Sequence, residues 1–307
     1  MKPLDTSLLL SLPRRCWLAS ATALALLGSQ VQAADKLPVT ASFSILGDIV
    51  RVVGGDRVAV TTLVGPTQDS HAFEPKPSDV KTILASKLVV NNGLGFEPWA
   101  NRLIQSAGYK GSVLVASKGV KTRTMQEDGQ TETDPHAWQS PDNVVLYARN
   151  IAAALSKADP QGAASYQART DAFVQELQTL DLWAKEQFAA IPLGKRKAIT
   201  SHDAFGYFAA HYGVTFLSPQ GVSTEAEPSA KQVAKLIQQI KREKIRAVFV
   251  ENMGNPKLID QLSKDAGATL GASLYSDALS TADKPGASYL QMMYHNVRAL
   301  AAGMSKN

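Results

Sequence analysis

The stretch Lys197-Ala-Ile-Thr-Ser-His-Asp-Ala-Phe-Gly-Tyr-Phe208 decides how this chain folds. Residues 197–200 end on β-branched Ile199-Thr200 and suit a short buried strand, and an aromatic helical pattern over 203–212 follows. His202 therefore sits where a strand ends and a helix begins. In an open parallel sheet, ligands bind beyond the carboxyl ends of the strands.

Reading outward, the same alternation recurs on both sides. Strand patterns cover 37–45, 58–64, 88–92 and 112–116, with helical patterns near 46–54, 77–86 and 96–107 between them. After His202 come strands at 214–217, 246–251 and 268–274 and helices at 228–243, 256–266 and 287–303. Between these blocks, residues 141–156 are helical and 160–190 form one long amphipathic run, ended by Pro192-Leu-Gly194. Strands separated by helices imply parallel sheets. The fold class is thus α/β, with two α/β lobes of mainly parallel sheets joined by one long rigid helix. The expected boundaries are 34–157 for the first lobe, 158–192 for the linking helix and 193–307 for the second lobe. Residues 118–134 are polar and turn-rich and are expected to form a mobile loop, with 218–228 a second one.

The first 33 residues stand apart. Lys2, Arg14 and Arg15 precede an apolar stretch from Trp17 to Leu27, and Val31-Gln-Ala33 is a small-residue cleavage site. This is a secretory signal peptide cleaved near Ala33, too short in its apolar run to span a bilayer. Arg14-Arg15 leaves both the general and the twin-arginine export routes open. Cys16 is the one cysteine of the chain, and Leu-Pro-Arg-Arg before it is a poor lipidation context. A mature chain without cysteine has neither disulfide nor thiolate ligand. The expected location is periplasmic. A net charge of +5 over 307 residues, with scattered basic residues, excludes a nucleic-acid footprint.

Of the five histidines, His71, His136 and His202 fall in loops, whereas His211 and His295 lie inside helical patterns and read as ordinary helix residues. His71 follows strand 58–64, His136 ends the segment after strand 112–116, and Asp277 follows strand 268–274. Three imidazoles and one carboxylate, two in each lobe and all beyond strand ends, suit a first-row divalent metal. A catalytic zinc with Asp277 as general base is the enzyme reading. No His-Glu-x-x-His, Gly-x-Ser-x-Gly or phosphate-cradling glycine loop accompanies it, and ligands split between lobes suit capture and release, so no enzyme is expected.

The motifs resemble those of the metal-binding receptors of ABC transporters, the zinc- and manganese-type solute-binding proteins. His71-Ala-Phe-Glu-Pro-Lys-Pro-Ser-Asp79 is similar to their first metal motif and Asn92-Gly-Leu-Gly-Phe-Glu-Pro-Trp99 to their strand-to-helix turn. Asp134-Pro-His-Ala-Trp138, Ser201–Phe208 and Leu274-Tyr-Ser-Asp-Ala-Leu279 follow in the family's order. The resemblance implies the ligand set His71, His136, His202 and Asp277, and zinc, iron(II) or manganese as transported ligand, zinc favoured. It also implies delivery by a monomer to an inner-membrane ABC permease; a periplasmic metal chaperone and a surface adhesin are the other readings. The chain departs from the family at Gln139-Ser-Pro141, where Leu-Asp-Pro is common, and has no histidine in 118–134, where zinc receptors often carry many.

Overall fold

The computed structural model describes residues 35–127, 130–221, 224 and 228–307. The signal peptide, its cleavage site and Cys16 lie outside them, as do residues 222, 223 and 225–227 of the expected loop 218–228.

Strand β1 (Leu37–Phe43) has Val39 to Phe43 buried on both faces, as a central parallel strand should. It runs into α1 (Ser44–Gly54), which buries Ile45, Leu46, Ile49, Val50 and Val53 along one stripe. Then come β2 (Val58–Val64), α2 (Pro77–Ala85), β3 (Leu88–Asn91), α3 (Pro98–Ser106) and β4 (Ser112–Val115). These strands form one sheet in the order β2-β1-β3-β4, all parallel. Helices α2 and α3 both start on proline, whose fixed φ and missing N–H suit the first helical position.

The expected loop at 118–134 is instead largely an antiparallel hairpin, β5 (Thr124–Glu127) with β6 (Gln130–Thr133). Thr124, Thr131 and Thr133 supply β-branched residues to both arms, a pattern the polar composition concealed. Helix α4 (Pro141–Ala158) follows, and then α5 (Ala163–Ala189), 27 residues or about 40 Å at 1.5 Å per residue.

The second sheet is β10-β9-β7-β8, again parallel, built from β7 (Lys197–Ile199), β8 (Thr215–Leu217), β9 (Ala247–Val248) and β10 (Thr269–Leu270). Its helices are α6 (Gly206–Tyr212), α7 (Ala230–Glu243), α8 (Pro256–Ala266) and α9 (Tyr289–Met304). The strands expected at 246–251 and 268–274 shorten to two residues each. Beyond them the two segments are joined by the isolated bridge Glu251–Leu274.

Helix α5 packs on α1 and α4 of the first lobe and on α6 and α9 of the second. Tyr166, Phe173, Leu177, Leu180, Ala184 and Phe188 bury one face of it. Arg169 Nε donates to the Val52 carbonyl at 2.8 Å near one end, and Asp181 meets His211 at 2.6 Å near the other.

One buried acid supports the turn after β3. Glu97 accepts from the Ser42 hydroxyl at 2.8 Å and from the Asn92 N–H, while its other oxygen has no partner. Burial pushes its carboxyl up to about 7, against the pull of those donors. A folded pKa above the unfolded one means that the folded state holds the proton more tightly. The stability this contributes is complete below pH 4.5 and disappears as pH rises through about 7. The change is on the order of 3 kcal/mol. Glu97→Gln, a permanent mimic of the neutral acid, should flatten that fall. Denaturant unfolding at pH 5 and pH 8 measures it, and an unchanged difference between the two would refute the assignment.

Candidate metal centre

The carboxyl ends of both sheets converge. His71 stands in the loop after β2, where Asp69 Oδ1 accepts its backbone N–H at 2.8 Å. Its ring meets Phe96 edge-on at 4.8 Å. Phe96 is delivered by the turn Asn92-Gly-Leu-Gly. Gly93 there adopts φ +82°, and a Cβ on it would lie 2.4 Å from Val115 Cγ1, so only glycine fits. His136 leaves hairpin β5–β6 just before α4. Asp134 Oδ1 accepts its N–H at 3.0 Å and faces its Nδ1 at 3.0 Å. His202 follows β7, and Glu251 follows β9, the two strands where the chain order reverses in the second sheet. Glu251 Oε1 accepts the N–H groups of Ser201 at 2.7 Å and His202 at 3.0 Å, while Oε2 lies 2.6 Å from His202 Nδ1.

Asp277 completes the group. Its loop is pinned from several sides: Asn296 of α9 accepts the Tyr275 N–H and donates to the Tyr275 carbonyl. Trp138 Nε1 and Gln139 Nε2 both donate to the Ser276 carbonyl at 2.8 Å. Ser44 accepts the Leu279 N–H at 3.0 Å. The carboxylate faces His202 Nε2 at 2.9 Å, His71 Nε2 at 3.4 Å and His136 Nε2 at 3.8 Å.

Thus the four residues singled out in the sequence come together, within 4.8 Å donor to donor. The three Nε2 atoms and the two Asp277 oxygens are all buried and face one another, with no partner outside the cluster among the described residues. Buried polar atoms are almost always paired, so five that face only one another fit a cation. Donors on one first-row ion, at bonds of about 2.0–2.2 Å, are separated by roughly 3–4 Å. The sequence reading left out Glu251 and the role of Asp134, the carboxylates that hold the far nitrogens and set the tautomers. A charged residue closing the apolar run Ala247–Val250 was the available signal for Glu251. Gln139, a departure from the family pattern, acts on the Asp277 loop.

The electrostatics of the metal-free protein follow. Burial drives the His202 imidazole down, but Glu251 and Asp277 against its two nitrogens outweigh burial and hold it well above its ordinary range. Burial drives Asp277 up, and the His202 and His136 rings outweigh that and hold it well below the usual carboxylate range. A proton on His202 stands where a cation would.

Two parallel α/β lobes with facing strand ends and one long helical connector define the class of two-lobed binding proteins. The match to the family model of ZnuA, the periplasmic component A of a zinc-uptake complex, runs over residues 39–303, and the chain belongs to that family. It is 32% identical to the manganese ABC transporter substrate-binding lipoprotein PsaA of Streptococcus pneumoniae, covering 91% of this chain and 92% of that one. It is 31% identical to the iron ABC transporter substrate-binding lipoprotein MtsA of Streptococcus pyogenes, over the same shares. Among solved structures, the periplasmic zinc binding protein TroA of Treponema pallidum superposes with a TM-score of 0.83 at 26% identity, covering 88% of this chain and 99% of that one. The manganese-bound periplasmic metal binding protein of Candidatus Liberibacter asiaticus does so at 0.80 and 28%, covering 88% and 100%.

If Glu251 holds the proton on His202, Glu251→Gln should lower the His202 pKa in the metal-free protein. NMR titration of the imidazole reads this directly, and an unmoved midpoint would count against the pairing.

Proposed function

We propose that the protein captures one divalent transition metal outside the cytoplasm and delivers it to an ABC importer, with His71, His136, His202 and Asp277 as ligands. The observation that carries this is the convergence of five buried donor atoms that face only one another at the junction of the two lobes. Four protein ligands fill a tetrahedral ion and leave no open position for a reacting water, which suits a receptor rather than a hydrolase. Three imidazoles and one carboxylate, with no thiolate, favour zinc over iron(II) and manganese on intrinsic affinity. The relatives named for manganese and iron give a specific reason to keep those metals as the second reading. Handover to a permease rests on family membership, and a monomer is the form proposed.

Binding a ligand to the native state alone stabilises it by RT ln(1 + [L]/Kd), about 4 kcal/mol at a thousandfold excess over Kd. Zinc should therefore raise the melting temperature at one equivalent, and His202→Ala should abolish the rise. The ion must expel the proton that His202 carries. Because that pKa is raised, the proton's own contribution to stability is complete below the ordinary histidine pKa and is lost as pH rises through the folded value. The zinc increment should run the other way: small below about pH 6, and still growing above the ordinary value near 6.5. Asp277 stays ionised throughout and adds no slope. Melting with and without zinc between pH 5.5 and 8.5 checks this. An undiminished rise in His202→Ala would remove that residue from the ligand set, and a flat pH profile would rule out proton displacement. Titration with manganese and iron(II) in competition with zinc decides the metal.

A further inference from the structure

His211 lies outside the centre, on α6, and read in the sequence as an ordinary helix residue. Its ring repeats the arrangement that prepares His136 and His202. There, a carboxylate holds one ring nitrogen and the other faces the cluster. In His211 it is Nε2 that is held, 2.6 Å from Asp181 Oδ1. Lys185 takes the second Asp181 oxygen at 2.6 Å, and together these partners outweigh burial and hold the Asp181 carboxyl below its ordinary range. With Asp181 at Nε2, Nδ1 is the ring nitrogen left to face Asp142. Tyr212 meets the ring edge-on at 4.7 Å and fixes its plane.

Nδ1 faces Asp142 Oδ2 at 3.7 Å. That is too long for a hydrogen bond. It matches the roughly 3–4 Å between two donors on one first-row ion. One donor atom from each of Asp142, Asp181 and His211 lies within 4.8 Å of the others. A cavity of about 290 Å³, with Asp142, Asp181, Gln178 and Val145 in its wall, opens beside them and has room for the waters that would complete a coordination sphere.

We propose that His211 Nδ1 and Asp142 form a second, weaker site for a borderline first-row divalent cation, with Asp181 as the orienting carboxylate. Two protein donors and water bind less tightly than four protein donors. The site fills after the main centre, an order that rests on the function proposed above. Asp142 opens α4 and His211 is near the end of α6, so a bound ion ties these helices together alongside α5. The competing arrangement is an imidazolium bridging both carboxylates with no ion.

The test is a zinc titration by calorimetry, paired with nitrogen-15 spectra of the imidazoles. The wild type should take two equivalents, the second at least a hundredfold weaker. His202→Ala should keep the weak equivalent. Adding His211→Ala or Asp142→Asn to it should weaken that equivalent at least tenfold, and zinc should shift His211 Nδ1 rather than Nε2. His211→Ala alone should retain the tight equivalent, which shows an intact fold. A His202→Ala protein with no weak equivalent, or one indifferent to both second substitutions, overturns this inference and leaves the main centre standing. A tight equivalent that survives His202→Ala overturns the main centre instead.

Discussion

A buried carboxylate faced by three imidazoles from three other loops is the constraint around which this molecule is arranged. Asp277 has no exposed surface, and the groups that face its carboxylate are the three imidazoles. An unpaired charge in such a place costs several kcal/mol. The protein offsets that cost with charge, through a proton shared with His202 or through a cation in its stead. Both solutions require the four loops to arrive together, and the surrounding hydrogen bonds achieve this. Trp138 and Gln139 from the first lobe and Asn296 from α9 all hold the segment that carries Asp277.

The connector sets how that arrangement can move. Helix α5 is packed along its length against both lobes, and its two ends are tied by Arg169 and by Asp181. A single packed helix resists the wide hinge closure available to flexible multi-strand linkers. The segments that bring the donors in are loops, among them the Asp134–His136 segment after an exposed hairpin. Loops open at lower free energy than packed helices. The pairs Asp134–His136 and Glu251–His202 hold two of the donor rings to neighbouring carboxylates.

The α/β alternation, the long helix and the four candidate donors were legible in the sequence because each leaves a local trace. Strands leave β-branched runs, α5 leaves apolar residues at helical spacing, and the donors fall just past strand ends, as parallel sheets require. Hairpin β5–β6 was misread as loop, since arm β6 is polar and exposed throughout and imposes no alternation. Strands β9 and β10 were read too long, since apolar residues continue after the ladder stops.

What only the tertiary structure decided are relations between distant residues. Glu251 meets His202 across 49 positions, and Gln139 meets the Ser276 carbonyl across 137. Neither pairing has a local signature, because a carboxylate at a strand end looks the same whether it faces water or a histidine ring. The same holds for His211. Its helix is written in the sequence, but its place between Asp181 and Asp142 arises only where α4, α5 and α6 pack together. Backbone conformation is set mostly by neighbours in the chain. The charge on an imidazole is set by neighbours in space, and packing alone supplies those.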